Sequence, residues 1–467
     1  MPDQRNESPE GVVLAHISDI HFRKADLATK VYTADDDLRR EMQHALGEIA
    51  DELGAMHGIL ITGDIAFAAQ QEEYENAHTW IRAVCRRTGC PEESVRAITG
   101  NHDVLRGALT ESTLLQTAHA ELRRHGCSQK YDTIDTYING LLADKAAPEV
   151  LFSPLRHYND FADKFLSGFH ASQPFWEQTI VMNDRSKLRI RGLNSALISG
   201  ANDNLGDNKL VLGPMFSYLP REEGVEYLLM CHHPPQWLWD QDRIDDFFNT
   251  RSRVVLFGHK HVQRIYKHIA GNGHEVLRIH AGALNPDPGE PQYEPRFNCL
   301  KLSVEKKEGA RRLNVELHRR VWNSEDTKFV PAGDSGGACQ MFHLALPDWD
   351  DREVATETLL APGVVSEALT TVSDPLSVIS DDANKARLLS APRRLAYRFM
   401  ALPYHLRIEV AQSLKLLLDE DKGQSDTELF RRFFRRATER SDLAALWRET
   451  EIRHSDGKPD ENPFNQG

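Results

Sequence analysis

The sequence predicts an α/β fold of two packed sheets with flanking helices, a helical insertion, and a small all-α C-terminal domain. Three observations predict it. The first hundred residues alternate apolar strand-like runs with segments of helical periodicity. Five apolar runs each stop at a His, Asp or Asn, as when an α/β sheet gathers polar chemistry at the carboxyl ends of its strands. A second set of strand-like runs begins near residue 187.

Residues 12–21 (V-V-L-A-H-I-S-D-I-H) open with a strand over 12–18 and end in Asp19 and His21. Leu38, Met42, Leu46 and Ile49 recur every three to four residues, so 35–53 is a helix. A strand at 58–62 runs into Asp64, and 72–87 forms a second helix with Tyr74, Ala77, Ile81 and Val84 on one face. The strand at 95–98 ends in R-A-I-T-G-N-H-D. Here Gly100 lets the backbone turn, and Asn101, His102 and Asp103 present an amide, an imidazole and a carboxylate in succession. Asp103 is placed to orient the His102 ring.

Residues 105–178 change to helical stretches (109–124, 132–142, 155–166) without ligand-type clusters. Inserted directly after the His102 loop, they are expected to form a cap that shapes substrate access. The alternation over 187–198 starts a second sheet, expected to continue through 227–231, 254–257, 276–280, 299–304 and 313–321. The fourth and fifth apolar runs end in H-H-P-P (His232, His233) and G-H-K-H (His259, His261).

The chain has 467 residues, enough for two domains. We expect the catalytic domain at 10–345, a linker at 346–385, a helical domain at 386–452 and a disordered tail at 453–467. A net charge of −14 gives no general attraction for polyanions, so a nucleic-acid substrate needs a local basic patch or cations. The first residues carry no signal pattern, and no apolar run approaches the roughly 18 to 20 residues that span a bilayer. A soluble, cytoplasmic protein with no membrane partner is expected. The six cysteines show no C-x-x-C spacing and read as reduced core thiols, Cys231 among them as a buried strand residue rather than a metal ligand.

The C-terminal region reads as helices at 395–400 and 404–418, then a third opened by a capping box of Ser425 with Glu428. In the third, Leu429, Phe430, Phe433, Phe434 and Ala437 form an apolar stripe. Arg431, Arg432, Arg435 and Arg436 lie opposite, as a solvated face or a docking surface for an acidic partner.

The candidate ligands Asp19, His21, Asp64, Asn101, His232, His259 and His261 are too many for one metal and suit two. Asp64 then bridges ions about 3.5 to 4 Å apart, a separation that clamps a phosphoryl centre. The set needs no thiolate, so Mn²⁺ is expected first, with Fe or Zn²⁺ as alternatives. His259 and His261, two residues apart, can serve different ions only if the turn after Gly258 redirects one of them. His16 reads as a hydrogen-bonded strand histidine. Trp237 and Trp239 form either a wall for base stacking or cap packing, and Arg23 either a phosphate contact or ordinary surface.

In this order the blocks D-I-H, G-D, G-N-H-D, H-H-P and G-H-K-H resemble the calcineurin-like metallophosphoesterase family over residues 10–325. The resemblance implies a four-layer α/β/β/α sandwich around a dinuclear centre. It assigns Asp19, His21 and His261 to one metal, Asn101, His232 and His259 to the other, and Asp64 to both. His232 is preferred over His233 because the family's ligand stands two residues before the proline; His233 is then a substrate contact or a structural residue. His102 is implied to contact the phosphate and protonate the leaving oxygen, with Asp103 fixing its orientation, while a metal-bound hydroxide attacks. The C-terminal helices are similar to small adaptor domains of bacterial conflict-system effectors, which implies recruitment by a protein partner. The expected function is a phosphodiesterase acting on a nucleotide, cyclic nucleotide or nucleic-acid phosphoester. A phosphomonoesterase or protein phosphatase, and a non-catalytic scaffold acting through the C-terminal helices, are the alternatives.

Overall fold

A computed structural model of the chain describes residues 11–23, 34–127, 131–203, 209–286, 294–333, 339–349, 404–418 and 426–453, with isolated positions 395, 398, 399, 402 and 421. The described residues fall into two compact units, Met1–Glu357 and Thr358–Gly467. The first is an α/β/β/α arrangement.

Its first sheet grows from β1 (Val12–Ile17), which pairs in parallel with β2 (Gly58–Ile61), which pairs in parallel with β3 (Val95–Ala97). The helices α1 (Ala34–Leu53) and α2 (Gln71–Thr88) are the crossovers. The residues that set their periodicity, from Leu38 to Ile49 and from Tyr74 to Val84, are all buried. The helical insertion comprises α3 (Arg106–Glu111), α4 (Thr113–Cys127), α5 (Tyr131–Ala143), α6 (Ala147–Phe152) and α7 (Arg156–Ala162). The single helix expected at 109–124 is split at Ser112, whose hydroxyl accepts from the Leu115 amide.

The second sheet has the order β4-β5-β6-β7-β9-β8, from β4 (Phe175–Val181), β5 (Lys187–Leu193), β6 (Val225–Cys231), β7 (Val254–Phe257), β8 (Arg264–Ile269) and β9 (Glu275–His280). The short α8 (Pro214–Ser217) and α9 (Gln241–Arg251) lie between its strands in sequence, and α9 packs on β6 and β9.

One expectation is corrected here. The runs at 299–304 and 313–321 do not extend the second sheet. They lie in β10 (Arg296–Lys307) and β11 (Ala310–Asn323), which return to the first sheet, with β10 antiparallel to β1 from Val12 opposite Leu302 to His16 opposite Asn298. The cause is the free edge of β1: its amides and carbonyls need partners on the side away from β2, and β10 supplies them. Two further strands, β12 (Lys328–Pro331) and β13 (Gln340–Ala345), pair with β11.

The second unit contains α10 (Tyr404–Ser413), α11 (Asp426–Glu439) and α12 (Leu443–Arg453) around Phe399, Val410, Phe433, Ala437, Leu446 and Trp447. The helix expected over 404–418 stops at Ser413. Arg436, expected on a solvated face or a docking surface, is buried: its Nη2 donates to Asp421 at 2.9 Å and its Nη1 to the Leu416 carbonyl at 2.7 Å. Of the linker expected at 346–385, residues 346–349 are described and pack on the first unit; residues 350–385, the Ser425 cap and the tail beyond 453 lie outside the described residues. No described helix is long and apolar enough to cross a membrane. The described cysteines are all free thiols, with Cys127 and Cys339 exposed and the other four buried.

Candidate metal centre

Both sheets present the carboxyl ends of parallel strands to one place. Asp19 and His21 follow β1, Asp64 follows β2, Asn101 and His102 follow β3, His232 follows β6, and His259 and His261 follow β7. The segment after β9 ties the sheets together there, with the Leu284 and Asn285 amides donating to the Ser18 and Asp19 carbonyls at 3.1 Å.

The backbone bends sharply to do this. Asp19 (φ 53°), His21 (φ 51°), Asp64 (φ 52°), His259 (φ 67°) and His261 (φ 52°) all lie in the left-handed region. That conformation costs of order 1–3 kcal/mol per non-glycine residue and collects at functional sites. Two of these residues redirect the G-H-K-H segment: His259 Nδ1 reaches Asn101 Oδ1 at 3.0 Å, whereas His261 Nε2 reaches Asp19 Oδ1 at 3.2 Å. The condition set by their spacing is thereby met.

Asp64 stands between two donor sets. Its Oδ2 is 3.5 Å from His21 Nε2 and 3.4 Å from His232 Nε2, while its Oδ1 accepts from the His102 amide at 2.8 Å. Asp19, His21 and His261 converge on one side; His232 and His259 converge with Asn101 on the other. Asp19 Oδ1 and His21 Nε2 are buried without a hydrogen-bond partner, though each lies within 3.5 Å of another ligand-type atom. Buried oxygen and imidazole donors that face one another without satisfying one another fit divalent cations between them.

The H-H-P-P pair divides its roles. His232 Nδ1 donates to the Thr62 carbonyl at 2.7 Å, which fixes the tautomer and leaves Nε2 turned toward Asp64 and Asn101. Burial alone would push its pKa down, but the Asp64 charge and hydrogen bond, with Asp19 behind, hold it up at about 9. His233 is held by Ser195 Oγ through Nδ1 at 2.9 Å, and its Nε2 is buried without a partner. Its ring faces that of His259, with centroids 4.6 Å apart. Cys231 is the buried strand residue expected, its thiol donating to the His233 carbonyl.

The expected role of Asp103 requires correction. Its carboxylate does not touch the His102 ring; it accepts from the amides of Ile65, Ala66 and Gly100 and from the Tyr74 hydroxyl. Three converging amides make a tighter sink for a buried carboxylate than one imidazole. Asp103 therefore shapes the loop that carries Asp64. Burial and the Asp64 charge raise its pKa to about 6 against the pull of these hydrogen bonds. The His102 ring is oriented instead by the Phe67 carbonyl, 2.7 Å from Nδ1. Burial lowers the His102 pKa, with Asp64 pulling it back up.

At the rim, Arg23 is exposed and its guanidinium lies over the Phe67 ring, 4.4 Å from the centroid. The Trp237 ring stands edge-on to His259 at 4.0 Å. Trp239 packs beside Gly126 of α4, in keeping with cap packing. His16 is a hydrogen-bonded strand histidine, 3.0 Å from Thr62 Oγ1. Phe67, Thr62 and Ser195 were not singled out in the sequence, and Tyr74 was read only as part of one helix face. All four act here through a carbonyl or a hydroxyl, so nothing in their spacing marks them.

Residues 12–263 match the family model for calcineurin-like phosphoesterases, and 391–452 match that for a GTPase-associated adaptor domain. No curated protein matches. Among solved structures, the chain overlaps the calcineurin-like phosphoesterase YfkN from Bacillus subtilis at 11% identity and TM-score 0.34, over 74% of this chain and 95% of that one. It overlaps the sulfate thiohydrolase SoxB from Thermus thermophilus, in complex with glycerol, at 11% identity and TM-score 0.31, over 75% of this chain and 60% of that one. With more than half its length inside one family model, and an adaptor domain at its C-terminal end, the chain belongs to the calcineurin-like phosphoesterase family.

Proposed function

We propose that the chain is a dinuclear metal-dependent phosphodiesterase that hydrolyses a nucleotide, cyclic nucleotide or nucleic-acid phosphoester. The observation that carries this reading is Asp64 Oδ2, set nearly midway between His21 Nε2 and His232 Nε2. Asp19, His21 and His261 would hold one cation, Asn101, His232 and His259 the other, and Asp64 both. Divalent ions there, Mn²⁺ first among them, would neutralise phosphate charge and acidify the attacking water.

The chain's own residues supply the rest. His102, anchored through Nδ1, keeps Nε2 for moving a proton to the leaving oxygen. Arg23, held on Phe67, contacts a phosphate oxygen, and Trp237 and His233 bound the opposite side. The G-N-H-D and H-H-P blocks favour a diester over a monoester. The C-terminal adaptor domain supports recruitment by a protein partner, with a role in bacterial defence and a cytoplasmic location as the setting.

The test is hydrolysis of bis-p-nitrophenyl phosphate against p-nitrophenyl phosphate with Mn²⁺, with Asp64→Asn as control. Faster diester cleavage that the substitution reduces by at least about a hundredfold is expected, since a two-metal clamp loses its shared ligand. Faster monoester cleavage would replace this reading with a phosphomonoesterase. Bound metal without hydrolysis of either ester would leave the scaffold reading standing.

A further inference from the structure

A second set of unlike donors converges away from these loops, where β12 and β13 meet the same edge of β11 in tandem. Arg320 is opposite Pro331 in one pairing and Leu317 is opposite Gln340 in the other. His318 stands at the junction, level with Cys339, which immediately precedes β13. Glu316 lies two residues along β11 and so on the same side of the sheet as His318. That side is opposite the one on which Leu313, Val315 and Leu317 enter the core.

A carboxylate oxygen of Glu316, a ring nitrogen of His318 and the Cys339 thiol all lie within 4.8 Å of one another. His318 is 1% exposed; its Nε2 is 2.8 Å from Glu316 Oε1, and its Nδ1 is buried with no hydrogen-bond partner. A Glu–His hydrogen bond across two residues of one strand needs no further explanation. A thiol brought against that pair, and a ring nitrogen left unsatisfied beside it, do. The thiol also hydrogen-bonds to Glu316, and burial with the charges of Glu316 and Glu52 raises its pKa.

We propose that Glu316, His318 and Cys339 form a third metal site, structural in role and suited to Zn²⁺. Oxygen, nitrogen and sulfur donors together match a borderline dication, whereas the oxygen- and imidazole-only set around Asp64 suits harder ions. Three protein ligands leave the fourth tetrahedral position to water. On binding, the Cys339 S–H bond breaks, the sulfur–zinc bond forms and the proton passes to solvent. The dication then cancels the charges of the thiolate and the Glu316 carboxylate. Its effect is to clip the start of β13 to β11, at the edge of the first sheet.

The probe is Co²⁺ added to the full chain, because a thiolate ligand gives a near-ultraviolet charge-transfer band that oxygen and imidazole ligands do not. Wild type should show this band and bind one equivalent of metal more than Cys339→Ser, which should lack the band and keep its hydrolytic activity. Cys231→Ser, next to His232, should retain the band. Absence of the band in wild type, or its persistence in Cys339→Ser, would overturn the proposal. Since the dinuclear centre contributes nothing to the band, either result leaves the phosphodiesterase reading to its own test.

Discussion

His16 shows how a buried titratable side chain in this molecule is kept in one form. The Thr62 hydroxyl donates to the Ile17 carbonyl, so His16 Nε2, 3.0 Å from that hydroxyl, is the donor between them. Its Nδ1 then accepts from Asn298 Nδ2, and Asn298 Oδ1 accepts from Gln263. This chain of bonds needs a neutral ring. Burial, helped by His280 and opposed by Asp19, lowers the pKa from 6.5 to about 3. The folded state therefore resists a proton that the unfolded chain accepts, and stability falls as pH drops from about 6.5 toward about 3. His16→Gln removes that share: the loss of unfolding free energy between pH 7 and pH 5 should shrink by about 2 kcal/mol. Identical losses in denaturant titrations of both proteins would show that His16 is not proton-resistant when folded. Its role was legible in the sequence, since a polar residue among strand apolars must find partners. The partners were not, because Asn298 is 282 residues away.

Among the elements, the turns that end the strands do more than connect them. Gly63 is at φ 94°, and a Cβ there would lie 2.6 Å from His232 Nδ1. A Cβ on Gly100 would lie 2.1 Å from Asp64 Oδ1. The carboxylate proposed to bridge thus occupies the space a side chain would fill, and Gly100→Ala must displace it. We expect this variant to keep its far-ultraviolet circular dichroism while metal content and diester hydrolysis fall at least tenfold; full metal loading would show that Asp64 is not needed where it stands. The strands and helices of the first hundred residues were readable to within a residue or two because burial imposes their period. Nothing in that period reveals where the backbone turns left-handed, so five candidate ligands were named without their geometry. Nor does alternation in β10 and β11 say which sheet they join, because pairing is decided by whichever edge is open. Arg436 misled for a related reason: its place on the polar side of a helix did not disclose Asp421 waiting to be paired.

At the scale of the molecule, the two units have separate apolar cores with no residue in common. The catalytic unit closes without the C-terminal helices: Arg311 donates to the Pro347 carbonyl and its guanidinium lies over Trp349, which finishes the described part of that unit. A chain ending at Trp349 should therefore keep its metal content and its kcat/KM on a small diester, and the full chain should unfold in two separable transitions. Loss of activity in the shortened chain would mean that the adaptor domain contributes to catalysis. The family match ends at 263, yet β8 to β13 beyond it complete both sheets.

The pairing of β1 with β10 also governs the order in which the molecule can come into being. β1 is central in its sheet, and one of its two neighbours, β10, is not synthesised until nearly three hundred residues later. Until then β1 holds only β2, its other edge is open, and His16 lacks Asn298. Contacts of such long sequence separation slow folding, and an open apolar edge invites pairing with other chains. The nascent protein thus passes a long interval with Asp19, His21 and Asp64 already made and their counterparts on the second sheet still to come. The proposed centre cannot assemble before His261 has been made, and β1 keeps one edge open for longer still, until β10 follows.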